Sequence, residues 1–206
     1  MKLYTFEPAP NPQRVHLFLK AKGLELETET IDLMKKAQFN DAFKAINPRC
    51  TVPSLVLDDG EVLSEVVGIC MYLDGLYPEK PMMGSTPIEK AKVIGWMHRV
   101  FLEGIMPVAD ALRNGTETFK GRALPGPFSV EQIPALAERG QTMIGAFYKT
   151  LNAALDGREY LALETFTQAD IDAYCVMGFT GWVGREVPEE CTNIHSWMKR
   201  VPEQLG

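Results

Sequence analysis

The sequence predicts an α/β domain followed by an all-helical domain. The first 78 residues alternate short strand-like and helix-like segments, and residues 79–86 are rich in turn formers such as proline and glycine. The segments that follow repeat apolar residues at helical spacing. We therefore expect one domain over residues 1–78, a linker over 79–86 and a helical domain over 87–206.

Composition argues against several classes of function. The 206 residues carry a net charge of −6 and are 46% hydrophobic, which predicts a packed chain without affinity for nucleic acid or anionic membranes. No apolar run approaches the roughly 20 residues of a membrane span, and the first residues lack a signal-peptide layout. The four cysteines are scattered without a C-x-x-C pair. We therefore expect neither a disulfide framework nor a metal site, and a reducing, cytoplasmic setting.

Local signals order the α/β part as strand, helix, strand, helix, strand, strand, helix. Asn11 and Pro12 predict the start of the first helix, with Asn11 as N-cap and the proline at the first helical position, and Gly23 predicts its end. The turn Asp58-Asp59-Gly60 predicts a hairpin. The predicted segments are Lys2–Phe6, 11–23, Thr28–Leu33, a short helix around Phe43, Ser54–Leu57, Glu61–Leu63 and Glu65–Tyr77.

Capping signals and one proline organise the helical part. Thr86 and Glu89 predict a capping box at the start of a helix that runs to about Arg113 and bends at Pro107, which cannot donate to a carbonyl. Thr167-Gln168-Ala169-Asp170 predicts another helix start. The other predicted helices are Glu131–Leu155 and a short one over Ile194–Arg200.

The segment around Pro53 is the most informative for function. Motifs for nucleotide binding or a hydrolase nucleophile are missing, and the three histidines lack metal-ligand spacing. If the Val52-Pro53 bond is cis, the N–H and C=O of Val52 face outward and can pair with an extended peptide. The alternative is that Pro53 simply begins an edge strand.

Glu65 stands where the last helix of the α/β part begins. Its carboxylate can take up an ammonium, and the free N–H groups of Val66 and Val67 can take up a carboxylate. An α-amino acid head needs both. The alternative is that Glu65 only compensates the helix dipole.

These residues, in this order and spacing, resemble the cytosolic glutathione S-transferases over essentially the whole chain. The resemblance rests on Asn11-Pro12-x-Arg14-Val15, Asn47-Pro48, Thr51-Val52-Pro53, Leu63-x-Glu65 and Phe166-Thr167-x-Ala169-Asp170. It implies a thioredoxin-like N-terminal domain that binds glutathione and a helical domain that shapes the pocket for a small apolar electrophile. It also implies a homodimer, with glutathione as co-substrate and no metal.

The resemblance implies glutathione-binding roles for five residues: Gln38, Val52, Pro53, Glu65 and Val66. Val52 would pair with the cysteinyl backbone behind cis-Pro53, Glu65 would take the γ-glutamyl ammonium, and Gln38 would reach the glycyl carboxylate. The family usually has Ser or Thr at position 66. Val66 keeps only the backbone N–H, which predicts binding weaker by about 1–3 kcal/mol.

Catalysis in the family lowers the pKa of the glutathione thiol, usually through a Tyr, Ser or Cys near the start of the first helix. Residues 7–14 contain none of these, which resembles a microbial branch of the family. The donors that remain are the amide of Asn11, neighbouring backbone N–H groups and a water held by them. Arg14 and Arg113 would add positive potential. The alternatives are purely structural roles: Asn11 as a simple N-cap and Arg113 as a surface residue.

We therefore expect a cytoplasmic detoxification enzyme that joins the glutathione thiolate to apolar electrophiles. The missing Tyr, Ser or Cys leaves two alternatives open. One is a glutathione-binding or protein-interaction module with little turnover. The other is a glutathione-dependent peroxidase or isomerase on the same fold.

Overall fold

A computed structural model describes residues 1–205 of the chain. Its strands are β1 (Lys2–Thr5), β2 (Glu27–Thr30), β3 (Ser54–Val56) and β4 (Val62–Ser64). Its α-helices are α1 (Pro10–Lys22), α2 (Asp41–Ile46), α3 (Val66–Leu76), α4 (Pro87–Val100), α5 (Met106–Gly115), α6 (Pro134–Ala154), α7 (Gln168–Thr180) and α8 (Thr192–Gln204).

The strands form a mixed sheet in the order β2-β1-β3-β4, which confirms the predicted thioredoxin-like domain. β2 is parallel to β1 because α1 connects them as a crossover, whereas β3 is antiparallel to both β1 and β4. Leu3 pairs with Leu55, and neither is exposed to solvent. Helices α1 and α3 contact each other and contribute to the same apolar core.

The helical domain is built around α5, α6 and α7. Gly140 lets α6 approach α5 closely, because a Cβ at this position would lie 2.5 Å from the Pro107 carbonyl oxygen. Both predicted capping boxes are present, with Thr86 and Glu89 at α4 and with Thr167 and Asp170 at α7. The all-helical second domain is therefore confirmed.

The structure differs from the sequence prediction at the start of α1, before Pro107 and at α8, and β2 and α6 are shorter than predicted. α1 begins at Pro10 with Ala9 as its N-cap, so the prediction of Asn11 as N-cap was wrong. Pro10 and Pro12 both lie in the first turn, where a missing N–H costs no helical hydrogen bond, and local signals did not separate them. A π-helical stretch over Phe101–Ile105 precedes Pro107 instead of a simple bend. α8 is longer than predicted.

Within residues 1–205, no helix is both long enough and apolar enough to cross a bilayer.

Candidate active site

The termini of several elements meet at one edge of the sheet. Tyr4 pairs with Ser54, and Ser54 pairs with Ser64, so the end of β1, the start of β3 and the end of β4 lie side by side. The segment that leads into α1, the Val52-Pro53 bond and the start of α3 therefore converge here. β2 is parallel to β1, so the segment that follows it, which carries Gln38, leaves from the same edge.

The Val52-Pro53 peptide bond is cis, as expected. The Val52 side chain packs with Ile31 and Phe43, whereas its backbone N–H and C=O bond to nothing within residues 1–205. The side-chain amide of Asn47 braces this loop by donating to the Thr51 carbonyl at 2.9 Å. A rigid loop with an unpaired peptide unit can accept an extended ligand as an added strand.

Glu65 is the N-cap of α3, with an exposed carboxylate. Its φ of 70° lies in the left-handed region, which non-glycine residues adopt only when neighbouring structure holds them there. The carboxylate makes no capping bond to described residues, and its Oε1 lies 3.5 Å from Nη2 of Arg49. The Val66 side chain is buried, and its N–H is one of the unpaired donors of the first turn. An acceptor for an ammonium thus stands beside donors for a carboxylate.

Gln38 lies in a short 3₁₀ turn over Ala37–Phe39. Its side chain is 8% exposed, and its Oε1 is buried without a hydrogen-bond partner in the described chain. Buried amides are normally bonded, so an unpaired one marks a place where a ligand or water belongs.

Asn11 is held by a chain of buried hydrogen bonds. Arg14 Nη1 donates to Asn11 Oδ1 at 3.0 Å, and Arg14 Nε donates to Asp172 Oδ1 at 2.7 Å. Because its oxygen is occupied by Arg14, Asn11 keeps its side-chain N–H groups as free donors. Burial opposes the charge of Arg14, but the Asp172 carboxylate raises the pKa of Arg14 above its usual value.

Arg113 is engaged within its own domain. Its Nη1 donates to the Arg122 carbonyl at 3.0 Å, and its guanidinium lies 4.8 Å from the centre of the Phe119 ring. Burial, together with the charge of Arg122, lowers the pKa of Arg113. The structure thus brings the other predicted groups to the sheet edge or the start of α1 but directs Arg113 towards the loop after α5.

Three features of this region were not predicted from the sequence. Asp172 and Gln168 reach Arg14 from the helical domain, and Gln168 Nε2 donates to Asp172 Oδ1 at 2.7 Å. The loop after α5 reaches the first domain, because a Cβ on Gly126 would lie 3.3 Å from the Arg49 carbonyl oxygen. No local signal predicts such contacts, which depend on how the domains pack.

A small cleft of about 110 Å³ lies between the start of α1 and the end of α7. It is lined by Pro8, Pro10, Gln13, Gly178, Phe179 and Trp182, none of which is charged. Trp182 is half-exposed and packs edge-on against Phe179. The cleft therefore offers uncharged surface, partly polar and partly apolar, directly beside Asn11 in the chain.

Metal-binding groups are not assembled in the described chain: residues 1–205 contain no cluster of three or more His, Cys, Asp or Glu side chains placed to hold an ion. All four cysteines are buried and free.

The fold, with its site at one edge of the sheet, defines a two-domain protein whose first domain is thioredoxin-like. Known proteins share both domains. The model of the glutathione S-transferase N-terminal domain matches residues 9–76, and the model of the C-terminal domain matches residues 118–204. Glutathione S-transferase 2 of Saccharomyces cerevisiae is 30% identical over 210 residues, which cover 99% of this chain and 86% of that protein. The chain belongs to the glutathione S-transferase family.

Solved structures agree with this assignment. The crystal structure of Gtt2 from Saccharomyces cerevisiae has a TM-score of 0.87 at 29% identity, over all of both chains. A glutathione S-transferase domain-containing protein of Marinobacter aquaeolei VT8 has a TM-score of 0.90 at 28% identity, also over all of both chains.

Proposed function

We propose that this protein conjugates the thiolate of glutathione to small apolar electrophiles in the cytoplasm, as a detoxification reaction. The observation that carries the proposal is the unpaired backbone of Val52 beside the carboxylate of Glu65. A peptide bound as an added strand at Val52 would place its amino-acid head at the start of α3. That geometry suits a γ-glutamyl tripeptide.

The two ends of glutathione find complementary groups. Glu65 takes the ammonium of the γ-glutamyl head, and the N–H groups that begin α3 take its carboxylate. The Nε2 of Gln38 donates to the glycyl carboxylate, whereas its buried, unpaired Oε1 is an acceptor for an N–H of the ligand or of water. Arg49 neutralises Glu65 in the free protein and yields to the ammonium, because an exposed ion pair of this kind is weak.

Asn11 stabilises the thiolate in this proposal. Pro10 and Pro12 have no N–H, and the N–H of Gln13 is used by the Ala9 carbonyl. Asn11 therefore supplies the one free backbone donor among the first four residues of α1, as well as its side-chain amide. Lowering a thiol pKa by two units needs about 2.7 kcal/mol. One or two hydrogen bonds to a charged sulfur can supply that.

Arg14 and Arg113 act indirectly. Arg14 orients the Asn11 amide from a buried position, where its charge is paired with the carboxylate of Asp172. Arg113 anchors the loop after α5 by bonding to the Arg122 carbonyl, and that loop lies against Arg49. The electrophile occupies the uncharged cleft between α1 and α7, with its ring against Trp182.

We also propose a homodimer. Helix α3 and the π-helical stretch after α4 expose large apolar side chains, namely Met71, Tyr72, Leu76, Phe101 and Leu102. Large apolar side chains that are exposed on a folded surface are candidates for a protein interface. Sedimentation equilibrium should give twice the mass of the chain.

The ultraviolet absorbance of the thiolate of bound glutathione, measured against pH, tests the proposal. The bound thiol should ionise well below the free value of about 8.5, and a model aryl chloride should be conjugated. Glu65→Gln should weaken glutathione binding, because it removes the charge that faces the ammonium.

Normal binding with an unshifted thiol pKa and no conjugation would instead favour a binding module. Turnover of a hydroperoxide without conjugation would favour a peroxidase.

A further inference from the structure

A second cavity, of about 270 Å³, lies in the helical domain between the end of α6 and α8. None of its lining residues belongs to the first domain. We call it the arginine cavity and define it by Arg158, Glu159, Asn193, Ser196 and Arg200. Glutathione conjugation, as proposed above, uses none of these side chains.

Arg200 is incompletely hydrogen-bonded in this cavity. Its Nη2 donates to the Glu159 carbonyl at 3.2 Å, while its Nε is buried without an acceptor in the described chain. A buried N–H of a charged group that lacks an acceptor is costly and is normally satisfied by a ligand or water. The guanidinium is thus held in place and keeps N–H donors that have no acceptor.

Arg158, which is exposed, lines the same cavity. The described arginines that pair with carboxylates are Arg14, Arg49, Arg99 and Arg139, so neither cavity arginine forms an ion pair within residues 1–205. Glu159 is the one acidic residue in the lining, which therefore carries two positive charges and one negative charge. This local excess contrasts with the net charge of −6 of the whole chain.

The remaining polar groups suit an acceptor-rich ligand. Asn193 is fixed, because its Nδ2 donates to the Asn152 carbonyl at 3.0 Å. Ser196 is exposed and lines the cavity together with both arginines. The volume is slightly below the range of about 300–1,000 Å³ that drug-sized ligands occupy. A compact ligand therefore fits better than an extended one.

We propose that the arginine cavity binds a small oxyanion, the phosphate or carboxylate group of a compact metabolite. Guanidinium groups present parallel N–H donors that match the paired oxygens of these anions. Binding also stabilises α8, which carries Trp197, whose Nε1 donates to the buried Asp170.

Calorimetric titration of the intact protein, both without glutathione and with enough glutathione to occupy the first site, tests this proposal. One arm uses sodium phosphate and the other sodium succinate, each against sodium chloride of equal ionic strength. Saturable one-to-one binding is expected in at least one arm, and the arm identifies the anion. Arg158→Met and Arg200→Met should each weaken it about tenfold or more. Arg99→Met, on α4, should leave it unchanged.

Ser196→Leu fills the cavity and leaves both arginines in place. It therefore tests binding even if Arg200→Met does not fold. It should abolish the saturable heat. The proposal is overturned if neither anion binds saturably, or if binding survives unchanged in Arg158→Met and Ser196→Leu.

Discussion

Arg14 of α1 forms a buried ion pair with Asp172 of α7, 158 residues further along the chain. Arg14 Nε donates to Asp172 Oδ1 at 2.7 Å, and Nη2 donates to the other carboxylate oxygen. The same guanidinium bonds to Asn11. One side chain therefore joins the two domains and sets the orientation of the proposed thiolate donor.

Replacing Asp172 by Ala should lower the free energy of unfolding by about 3–5 kcal/mol, because Arg14 would keep a buried charge without a partner. The double variant Arg14→Met/Asp172→Leu should recover much of the loss, since it removes both charges. Urea denaturation measures both.

The partly exposed pair of Asp110 and Arg139 provides the control, and Asp110→Ala should cost about 1 kcal/mol or less. Equal losses in Asp110→Ala and Asp172→Ala would contradict the role given to burial.

Asn11→Ala should raise the pKa of bound glutathione and lower kcat/KM by about tenfold or more, because one donor to the sulfur is lost. The melting temperature should fall only modestly, because Asn11 is not the N-cap of α1 but does accept a hydrogen bond from Arg14. A fall in melting temperature with an unchanged thiol pKa would show that Asn11 is only structural.

Sequence reasoning succeeded where a signal is local. Thr86 with Glu89, and Thr167 with Asp170, are capping boxes three residues apart, and both are present. The Leu55–Leu63 hairpin pairing also follows from neighbouring residues, whereas the cis bond before Pro53 was implied by the family resemblance. These features depend on a few adjacent dihedral angles and hydrogen bonds.

Sequence reasoning failed where distant segments of the chain meet or where two local signals compete. Asp172 looks like any polar helical residue until packing brings it to Arg14. The role of Arg113, predicted from its place at the end of α5, stays a prediction, and its guanidinium bonds to the Arg122 carbonyl. The start of α1 was misplaced by two residues because two prolines suit the same turn.

Val66→Thr should strengthen glutathione binding by about tenfold, because the added hydroxyl can donate to the γ-glutamyl carboxylate. The free protein should be slightly less stable, since the Val66 side chain is buried and a hydroxyl there lacks a partner. Calorimetry of glutathione binding and urea denaturation measure the two effects. Val67→Thr, one residue further along α3, is the matched control and should not strengthen binding.

The unfolding free energy should depend on pH through His16. Burial lowers the pKa of His16, although Glu7 raises it, and Thr5 Oγ1 lies 2.8 Å from its Nε2. The unfolded chain takes up this proton below about pH 6.5, before the folded protein does. His16 therefore reduces stability as the pH falls below that value and has no such effect above it.

His16→Gln, which can keep a bond to Thr5, should flatten this part of the profile. Unfolding free energies of both proteins are measured at about pH 7.5 and about pH 5.5. Subtracting the pH dependence of His16→Gln from that of the unchanged protein leaves the contribution of His16, because all other titrating groups are the same in both. Parallel profiles would show that His16 stays equally protonated in the folded and unfolded states.

The two capping boxes should differ widely in their effect on stability. Asp170 is fully buried and accepts hydrogen bonds from Leu161, Thr167 and Trp197, so Asp170→Ala leaves several buried donors unpaired. We expect a loss of more than about 3 kcal/mol in urea denaturation. Glu89→Ala removes the same capping-box position at α4, but water can solvate the freed N–H groups there, so its loss should be much smaller. Similar losses in both variants would mean that the capping geometry alone, and not the burial of Asp170, determines the contribution.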